Sequence, residues 1–284
     1  MEAPLAVAMD LARALKLELS LTTFADPLSP HMASNKDSSR YLREQREKET
    51  IRAYFEHQRS GYVIEVGAND PLLHTSQSMH LEKELGWQSI LIEPNPDLAE
   101  QARQSRKDAR VFEFACVSSD ELKEISFYIP INDESVEVHS HAAIAKNIDD
   151  HNYDTHRELR VRSCTLNSIV NECNLPRIDL LSIDVEGAEM EVLKGFDLRK
   201  HRPKLILLED KHVFLDKHRL LKKNDYRLVK RTCQNSWYIP AEATLPPRSL
   251  HERYSLWRRL YLSIWIKKTK LALQKRSLDP FRSL

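Results

Sequence analysis

Gly61-Tyr62-Val63-Ile64-Glu65-Val66-Gly67-Ala68-Asn69-Asp70-Pro71 is the stretch on which the reading of this chain turns. Tyr62 to Val66 is a short run of β-branched, aromatic and apolar residues, the pattern of a buried strand. It leads into a tight turn at Gly67-Ala68-Asn69-Asp70 and then towards a helical pattern that closes near Leu85. A strand, a glycine-bearing turn and a helix in that order build a nucleotide site at the carboxyl ends of a doubly wound sheet. Gly67 permits close backbone approach, and Glu65 lies near the end of the strand. The chain has 5 glycines in 284 residues, well below the usual ~7%, so one of them at this turn is informative.

Working outward, strands and helices alternate. A helix over Ser76–Leu85 stops at Gly86 as a left-handed cap would stop it. Strand Ser89–Ile92 ends at Glu93-Pro94-Asn95-Pro96, where two prolines cannot continue a central ladder. Helix Asp97–Ser105, strand Val111–Cys116 and a strand at Glu124–Tyr128 follow. Residues 130–157 show no period, are rich in His, Asn and Asp, and read as a long surface excursion of the kind that carries function. The alternation resumes with Leu159–Ser163 and a helix capped by Thr165. Strand Ile178–Ile183 comes next, then helix Met190–Lys194 stopped at Gly195. Strand Leu205–Leu208, helix Val213–Lys223 and a hairpin of Tyr226–Val229 with Ser236–Ile239 complete the pattern. The expectation is an α/β fold, a Rossmann-like, doubly wound, mostly parallel sheet, with helical extensions at both ends.

Those extensions divide the chain into residues 1–59, a central domain 60–240, and a basic amphipathic helix within 241–284. The amino-terminal part reads as a helix over Leu5–Leu19, a loop with Pro27 and Pro30, and a second helix capped by Asp37 or Ser38 and running to about Gln58. Its polar run Arg43, Glu44, Arg46, Glu47, Lys48, Glu49 suggests a solvated face. Asp10, Arg13, Lys16 and Glu18 break the apolar patch at 3–19, and Glu2 stands where a signal peptide carries positive charge, which argues against export. No run of about 18 uncharged apolar residues occurs, so no spanning helix is expected. The formal net charge of +1 gives no general attraction to nucleic acid. Cys116, Cys164, Cys173 and Cys233 form no CxxC pair and no zinc-like spacing, which suits a reducing, cytoplasmic setting.

Glu65, Glu93 and Asp184 each end a strand, and in an open α/β sheet such ends lie side by side along one crevice. Glu93 follows Glu65 by 28 residues, at the end of the next strand, where a carboxylate can accept both hydroxyls of a ribose. The turn is no phosphate cradle. There is no GxxxxGK[ST], and Asn69 and Leu72 stand where a dinucleotide fingerprint needs glycine. An acidic rim suits a cationic ligand better than a pyrophosphate, and S-adenosylmethionine has a sulfonium, a ribose and no phosphate.

Residues 62–239 resemble the FkbM-type methyltransferases, a branch of the class I S-adenosylmethionine-dependent enzymes. Val63 to Asp70 is similar to the family's opening motif. Ser76-Gln77-Ser78, Leu81-Glu82 and Gly86-Trp87 follow its next pattern, and Ile92-Glu93-Pro94-Asn95-Pro96 its ribose-binding strand end. Leu180-Leu181-Ser182-Ile183-Asp184-Val185-Glu186-Gly187-Ala188-Glu189, with Val192-Leu193-Lys194-Gly195, resembles its most specific signature. Pro71 stands where glycine is usual and Ser78 where threonine is common; neither departure removes a carboxylate. The resemblance implies S-adenosylmethionine as cofactor, held by Glu65, Gly67, Ala68, Asn69, Asp70, Ser76, Glu93, Cys116, Val117 and Asp184.

It also implies methyl transfer to oxygen, with Asp184, Glu186, Glu209 and His212 as the catalytic candidates. One of Asp184, Glu186 or His212 is expected to act as the base or to anchor the acceptor hydroxyl. The same cluster could hold a divalent cation, but nothing in the sequence fixes such a geometry and no metal is assigned. His139, His141, His151 and His156 match no ligand spacing. The expected acceptor is the hydroxyl of a small molecule or glycan, shaped by residues 130–158. The last helix, from Leu250 to about Gln274, sets Leu256, Trp257, Leu260, Tyr261, Ile264 and Trp265 at helical spacing among arginines and lysines. It suits docking on the domain or on a second copy, or contact with an anionic membrane surface. The competing function is a non-catalytic module that recruits a partner or membrane through this helix; a dehydrogenase ranks behind both for want of the glycine fingerprint.

Overall fold

The computed structural model describes residues 35–71, 76–132, 137–138, 142–144, 155–209, 215–232, 234–244 and 250–258, together with 266 and 269. The chain divides into two compact units, residues 1–42 and 43–284. Of the first, the described part is the opening of helix α1, Asn35–Tyr54. This helix begins before the expected cap, so Asp37 and Ser38 lie inside it. It ends four residues before Gln58, because Glu56 and His57 adopt positive φ of 51° and 54°. The helix expected at residues 5–19 lies outside the described residues.

The central sheet is built from two runs of chain. The first comprises β1 (Tyr62–Val66), α2 (Met79–Leu85), β2 (Gln88–Ile92), α3 (Pro96–Ser105) and β3 (Arg110–Phe112). An intervening stretch holds β4 (Ala115–Cys116), β5 (Glu124–Ile131), β6 (Ala143–Ile144), β7 (Thr155–Cys164) and α4 (Leu166–Cys173). The second run comprises β8 (Leu180–Ile183), α5 (Glu189–Lys194), α6 (Leu198–His201), β9 (Leu205–Glu209), α7 (Leu215–Lys223), β10 (Tyr226–Thr232) and β11 (Asn235–Pro240). Helix α8, Leu250–Trp257, follows.

Seven strands pair in the order β3-β2-β1-β8-β9-β11-β10. Only β11 runs against its neighbours, antiparallel to both β9 and β10. The central strands β1, β2, β8 and β9 are largely apolar because both faces are covered. Ile64, Val66, Ile90, Ile92, Leu181, Ile183, Ile206 and Leu208 pack in one core cluster with Ile169 and Val192 from the helices. Val63, Leu180, Leu205 and Leu207, one residue out of step along the same strands, pack in another with Ile51, Phe55 and Leu81. The period of two thus sends alternate residues to opposite faces. At about 1.5–3 kcal/mol for each fully buried aliphatic side chain, these two layers dominate the stability. Ile51 and Phe55 also show that α1 is more than a solvated face, and Glu47 and Lys48 beside them are buried.

Two expectations are corrected. The single strand foreseen at Val111–Cys116 is two: β3 pairs with β2 in the central sheet, whereas β4 pairs with β7 in a second sheet ordered β4-β7-β5-β6. The irregular excursion at 130–157 is anchored at its base as well. There β5 and β7 pair antiparallel from Glu124 with Arg162 to Ile131 with Thr155, around Phe127, Ile129 and Val161. Strand β7 therefore starts four residues before Leu159. Its opening Thr-His-Arg-Glu has four exposed or half-exposed polar residues in succession, so it carries no hydrophobic alternation to read.

Candidate functional site

The chain leaves β1 at the point where the strand order reverses, with β2 on one side and β8 on the other. Such a switch point, outside the carboxyl ends of the strands, is where open α/β sheets bind ligands. The Gly67 and Ala68 N–H groups donate to the Ile92 carbonyl at 2.9 and 3.1 Å, and the Asp184 N–H donates to the Val66 carbonyl at 3.0 Å. Gly67 has φ +81°, and a Cβ placed on it would lie 1.8 Å from the Asp184 carbonyl oxygen. Only glycine fits. Asn69 follows at φ +50°, a conformation asparagine tolerates better than most residues, and its side-chain Oδ1 accepts the Asp70 N–H at 2.7 Å.

Glu93 closes this turn from the end of β2. Its Oε2 accepts the Asn69 N–H at 2.7 Å and its Oε1 the Asn95 N–H at 2.9 Å. Asn95 in turn caps α3 by accepting the Asp97 N–H at 3.0 Å. Burial raises the Glu93 carboxyl to about 7, against the lowering effect of the Asn95 and Asn69 N–H groups. Each carboxylate oxygen keeps a second lone pair, which leaves acceptors for two hydroxyls.

Glu65 is placed differently from the open carboxylate expected. It accepts the Ser76 Oγ at 2.9 Å, the Gln77 N–H at 2.7 Å and the Ser78 N–H at 3.2 Å, besides the Ser78 hydroxyl, and all of this is buried or nearly so. Arg106 reaches the same cluster. Its Nη2 lies 2.6 Å from Glu82 and 2.9 Å from the Ser78 Oγ, and its Nη1 is 4.0 Å from Glu65. Glu65 thus fixes the segment after the Gly67 turn, and Ser76 belongs to that support. Glu47 on α1 extends it, bonded to Gln77 Nε2 at 3.2 Å, to Asn235 Nδ2 at 2.9 Å and to the Thr232 hydroxyl. Desolvation raises the Glu47 carboxyl and lowers the Lys48 ammonium beside it.

Across the switch point, Asp184, Glu186 and Glu209 converge. One carboxylate oxygen from each lies within 4.8 Å of the others, with Asp184 exposed, Glu186 half-buried and Glu209 buried. Glu186 and Gly187 turn the chain with φ +48° and +102°. The Gly187 N–H donates to Glu189 Oε1 at 2.9 Å, and Glu189 Oε2 meets Lys217 Nζ of α7 at 2.5 Å in a buried pair. Three hard oxygen donors at that spacing could hold a divalent cation, and acidic groups equally cluster without one.

Cys116 sits in the core cluster that also holds Val66, Ile92 and Ile183, and Val117 donates its N–H to the Cys164 carbonyl at 3.0 Å. Burial pushes the Cys116 thiol well up, and raises the Cys164 thiol to about 11. Both are packing groups rather than nucleophiles. His212 lies outside the described residues, as do His139, His141 and His151; His156 is half-buried in β7. Arg106, Glu47, Glu189 and Lys217 escaped the sequence reading. Arg106 sits in the run Arg103-Gln104-Ser105-Arg106-Lys107, which looks like an ordinary solvated helix end. A cavity lined by Tyr62, Gln88, Arg110 and Asn174 opens at the start of the strands, the wrong end for this chemistry.

A turn that a single methyl would fill, a buried carboxylate with spare lone pairs and an acidic opposite wall together fit a nucleoside carrying a positive sulfur. A family model described as the methyltransferase FkbM domain matches residues 65–228. Comparison with curated proteins returns no match. Among solved structures, the methyltransferase FkbM from Methylobacillus flagellatus KT is similar at 14% identity over 63% of this chain, with a TM-score of 0.39; the chain spans 43% of that protein's length. A TehB-like SAM-dependent methyltransferase from Corynebacterium glutamicum ATCC 13032 Kitasato shares 12% identity over 73% of this chain and all of its own, with a TM-score of 0.35. At those scores the two likenesses add nothing to the family match, which spans more than half of the 284 residues. The chain belongs to the FkbM methyltransferase family, whose cofactor is S-adenosylmethionine.

Proposed function

We propose that this protein is a class I methyltransferase with a Rossmann-like sheet that methylates a hydroxyl of a small molecule or glycan, the catalytic part lying within residues 60–240. The observation that carries the reading is the Gly67 turn, clasped between Ile92-Glu93 of one strand end and Asp184 of the other. Glu93 accepts the ribose hydroxyls. Gly67 and Ala68 give the backbone approach, while Asn69 and Asp70 carry the rim. Glu65 and Ser76 hold that rim in place, and Cys116 with Val117 lies behind it in the core. Bound there, the cofactor supplies an electrophilic methyl on a sulfonium.

An alcohol attacks such a methyl only when aligned, and the reaction is assisted as its proton leaves. Asp184 and Glu186 stand at the mouth of the site. One orients the acceptor oxygen and the other takes the hydroxyl proton onto a carboxylate oxygen. Glu209, buried behind them, holds their geometry, and His212 is the remaining candidate base. The second sheet, with residues 130–158, selects the acceptor. A cytoplasmic setting keeps Cys116, Cys164 and Cys173 as the free thiols they are.

The test uses isotopically labelled S-adenosylmethionine, a panel of hydroxylated acceptors and mass spectrometry of the products. Asp184→Asn and Glu186→Gln should each abolish methyl transfer while the fold survives, read from thermal unfolding. Full activity in both variants rejects the assignment of the base.

A further inference from the structure

Charge along this chain is sorted unevenly. Between Arg253 and Leu278 there are eight Lys and Arg and not one Asp or Glu, so the rest of a chain of net charge +1 is acidic. Into the same segment fall Leu256, Trp257, Leu260, Tyr261, Leu262, Ile264, Trp265, Ile266, Leu271 and Leu273. The described part of it is helical, in α8 and again at residues 266 and 269.

Its described aromatic residues, Tyr254 and Trp257, face water. Tyr254 is 56% exposed, Trp257 49% and Ile266 69%, whereas Trp87 and Trp237 in the domain core are 2% exposed. Tyr254 and Trp257 stack with ring centroids 6.1 Å apart, as residues three apart on one helix face can. In the sequence Tyr261 and Trp265 follow, four residues apart. Arg253 and Arg258, immediately beside the exposed pair, are exposed as well.

Large exposed apolar groups rimmed by charge mark an interaction surface. Exposed tyrosine and tryptophan beside arginine on α8, with further aromatics and lysines following in the sequence, suit the plane of a bilayer, where indole and phenol sit at headgroup depth and each cation gains from anionic lipid. Five charges between residues 256 and 273 rule out a span. A nucleic acid would satisfy the cations but has no use for so many leucines and isoleucines. We propose that this segment binds the surface of an anionic membrane and holds the methyltransferase domain there, an interaction independent of the reaction assigned to the domain.

The experiment is co-flotation of the full chain with vesicles of phosphatidylcholine alone and of phosphatidylcholine with about one-third phosphatidylserine. Most of the protein should float with the anionic vesicles, little with the neutral ones, and the tryptophan emission should shift to the blue. Arg253→Glu with Arg258→Glu should weaken the anionic binding roughly a hundredfold, and Tyr254→Ser with Trp257→Ser should abolish it. Both variants should still bind S-adenosylmethionine, which shows that the domain is folded. Failure of the unaltered chain to float with anionic vesicles overturns the proposal, as does equal binding to neutral ones. So does a dimer, measured by light scattering, that the Tyr254/Trp257 variant dissociates while flotation is unchanged, since the face would then belong to a second copy.

Discussion

Glu93→Gln separates binding from stability more cleanly than any other change at this site. The Glu93 carboxyl titrates at about 7 rather than 4.5 because it is buried. Each pH unit of that difference corresponds to about 1.4 kcal/mol, so keeping the group ionised in the folded chain costs roughly 3 kcal/mol. The sign follows directly. Below about pH 4.5 folded and unfolded chains both carry the proton and the cost is absent. It grows as pH rises from 4.5 to 7 and is complete above 7. Glutamine cannot ionise and escapes it, but offers one acceptor to two N–H groups, those of Asn69 and Asn95. Leaving one of them without an acceptor costs about 1–3 kcal/mol. The two effects nearly offset at pH 8, where the variant should be as stable as the parent or up to about 2 kcal/mol more so, and it should lose that relative gain on acidification.

Binding should move the other way. In the proposed site the ionised carboxylate would make charge-assisted bonds to two ribose hydroxyls. Replacing it should remove roughly 3 kcal/mol, or about a hundredfold in the dissociation constant for S-adenosylmethionine. The parent's affinity should itself fall as pH drops through about 7, a dependence the variant lacks. Calorimetric titration at several pH values, beside thermal or urea unfolding over the same range, measures both arms. A variant that binds within a factor of about three of the parent, or whose stability follows pH in parallel with it, refutes the placing of Glu93.

Gly67→Ala forces a methyl into the 1.8 Å space against the Asp184 carbonyl at φ +81°; a loss of about 3 kcal/mol or more, some 6–10 °C in thermal midpoint, is expected together with cofactor binding. Lys217→Met strands the buried Glu189 carboxylate and should destabilise by about 3–5 kcal/mol, whereas adding Glu189→Gln to it should recover most of the loss in urea unfolding.

The strands were legible because burial on both faces leaves largely apolar runs: Tyr62–Val66 and Leu205–Leu208 read as strands and are strands, and the run read as Ile178–Ile183 begins its strand at Leu180. The caps were legible where one residue does one job. Gly86 ends α2 in the left-handed conformation at φ 65°, and Thr165 caps α4 by accepting the Ser168 N–H at 3.1 Å. What failed was any place where a polar pattern hides pairing. The opening of β7 lacks alternation, and Glu113-Phe114 passes the chain from one sheet to the other with no turn signal between Phe112 and Ala115. The site was half legible for the same reason. A carboxylate at a strand end announces itself, but its partners do not. Arg106, Glu47 and Lys217 are ordinary residues of polar helices until tertiary structure buries them, and sequence spacing says nothing of which charge meets which.

The matched span, residues 65–228, is therefore narrower than the unit the physics requires. Strand β11 lies outside it, yet stands between β9 and β10 in the sheet, and without it both neighbours would expose a row of unpaired backbone groups. Helix α1 lies outside it too, yet Ile51 and Phe55 complete one face of the core. Glu47 from the same helix is bonded both to Gln77, in the segment that Glu65 holds after the Gly67 turn, and to Thr232 and Asn235 at the β10–β11 hairpin. A buried carboxyl that costs free energy to desolvate is retained where its several partners must be held in one arrangement. Glu47 stands there, joining the edge of the sheet to the segment after the Gly67 turn, so the order of the site extends to residues that lie far from it in sequence and touch nothing that reacts.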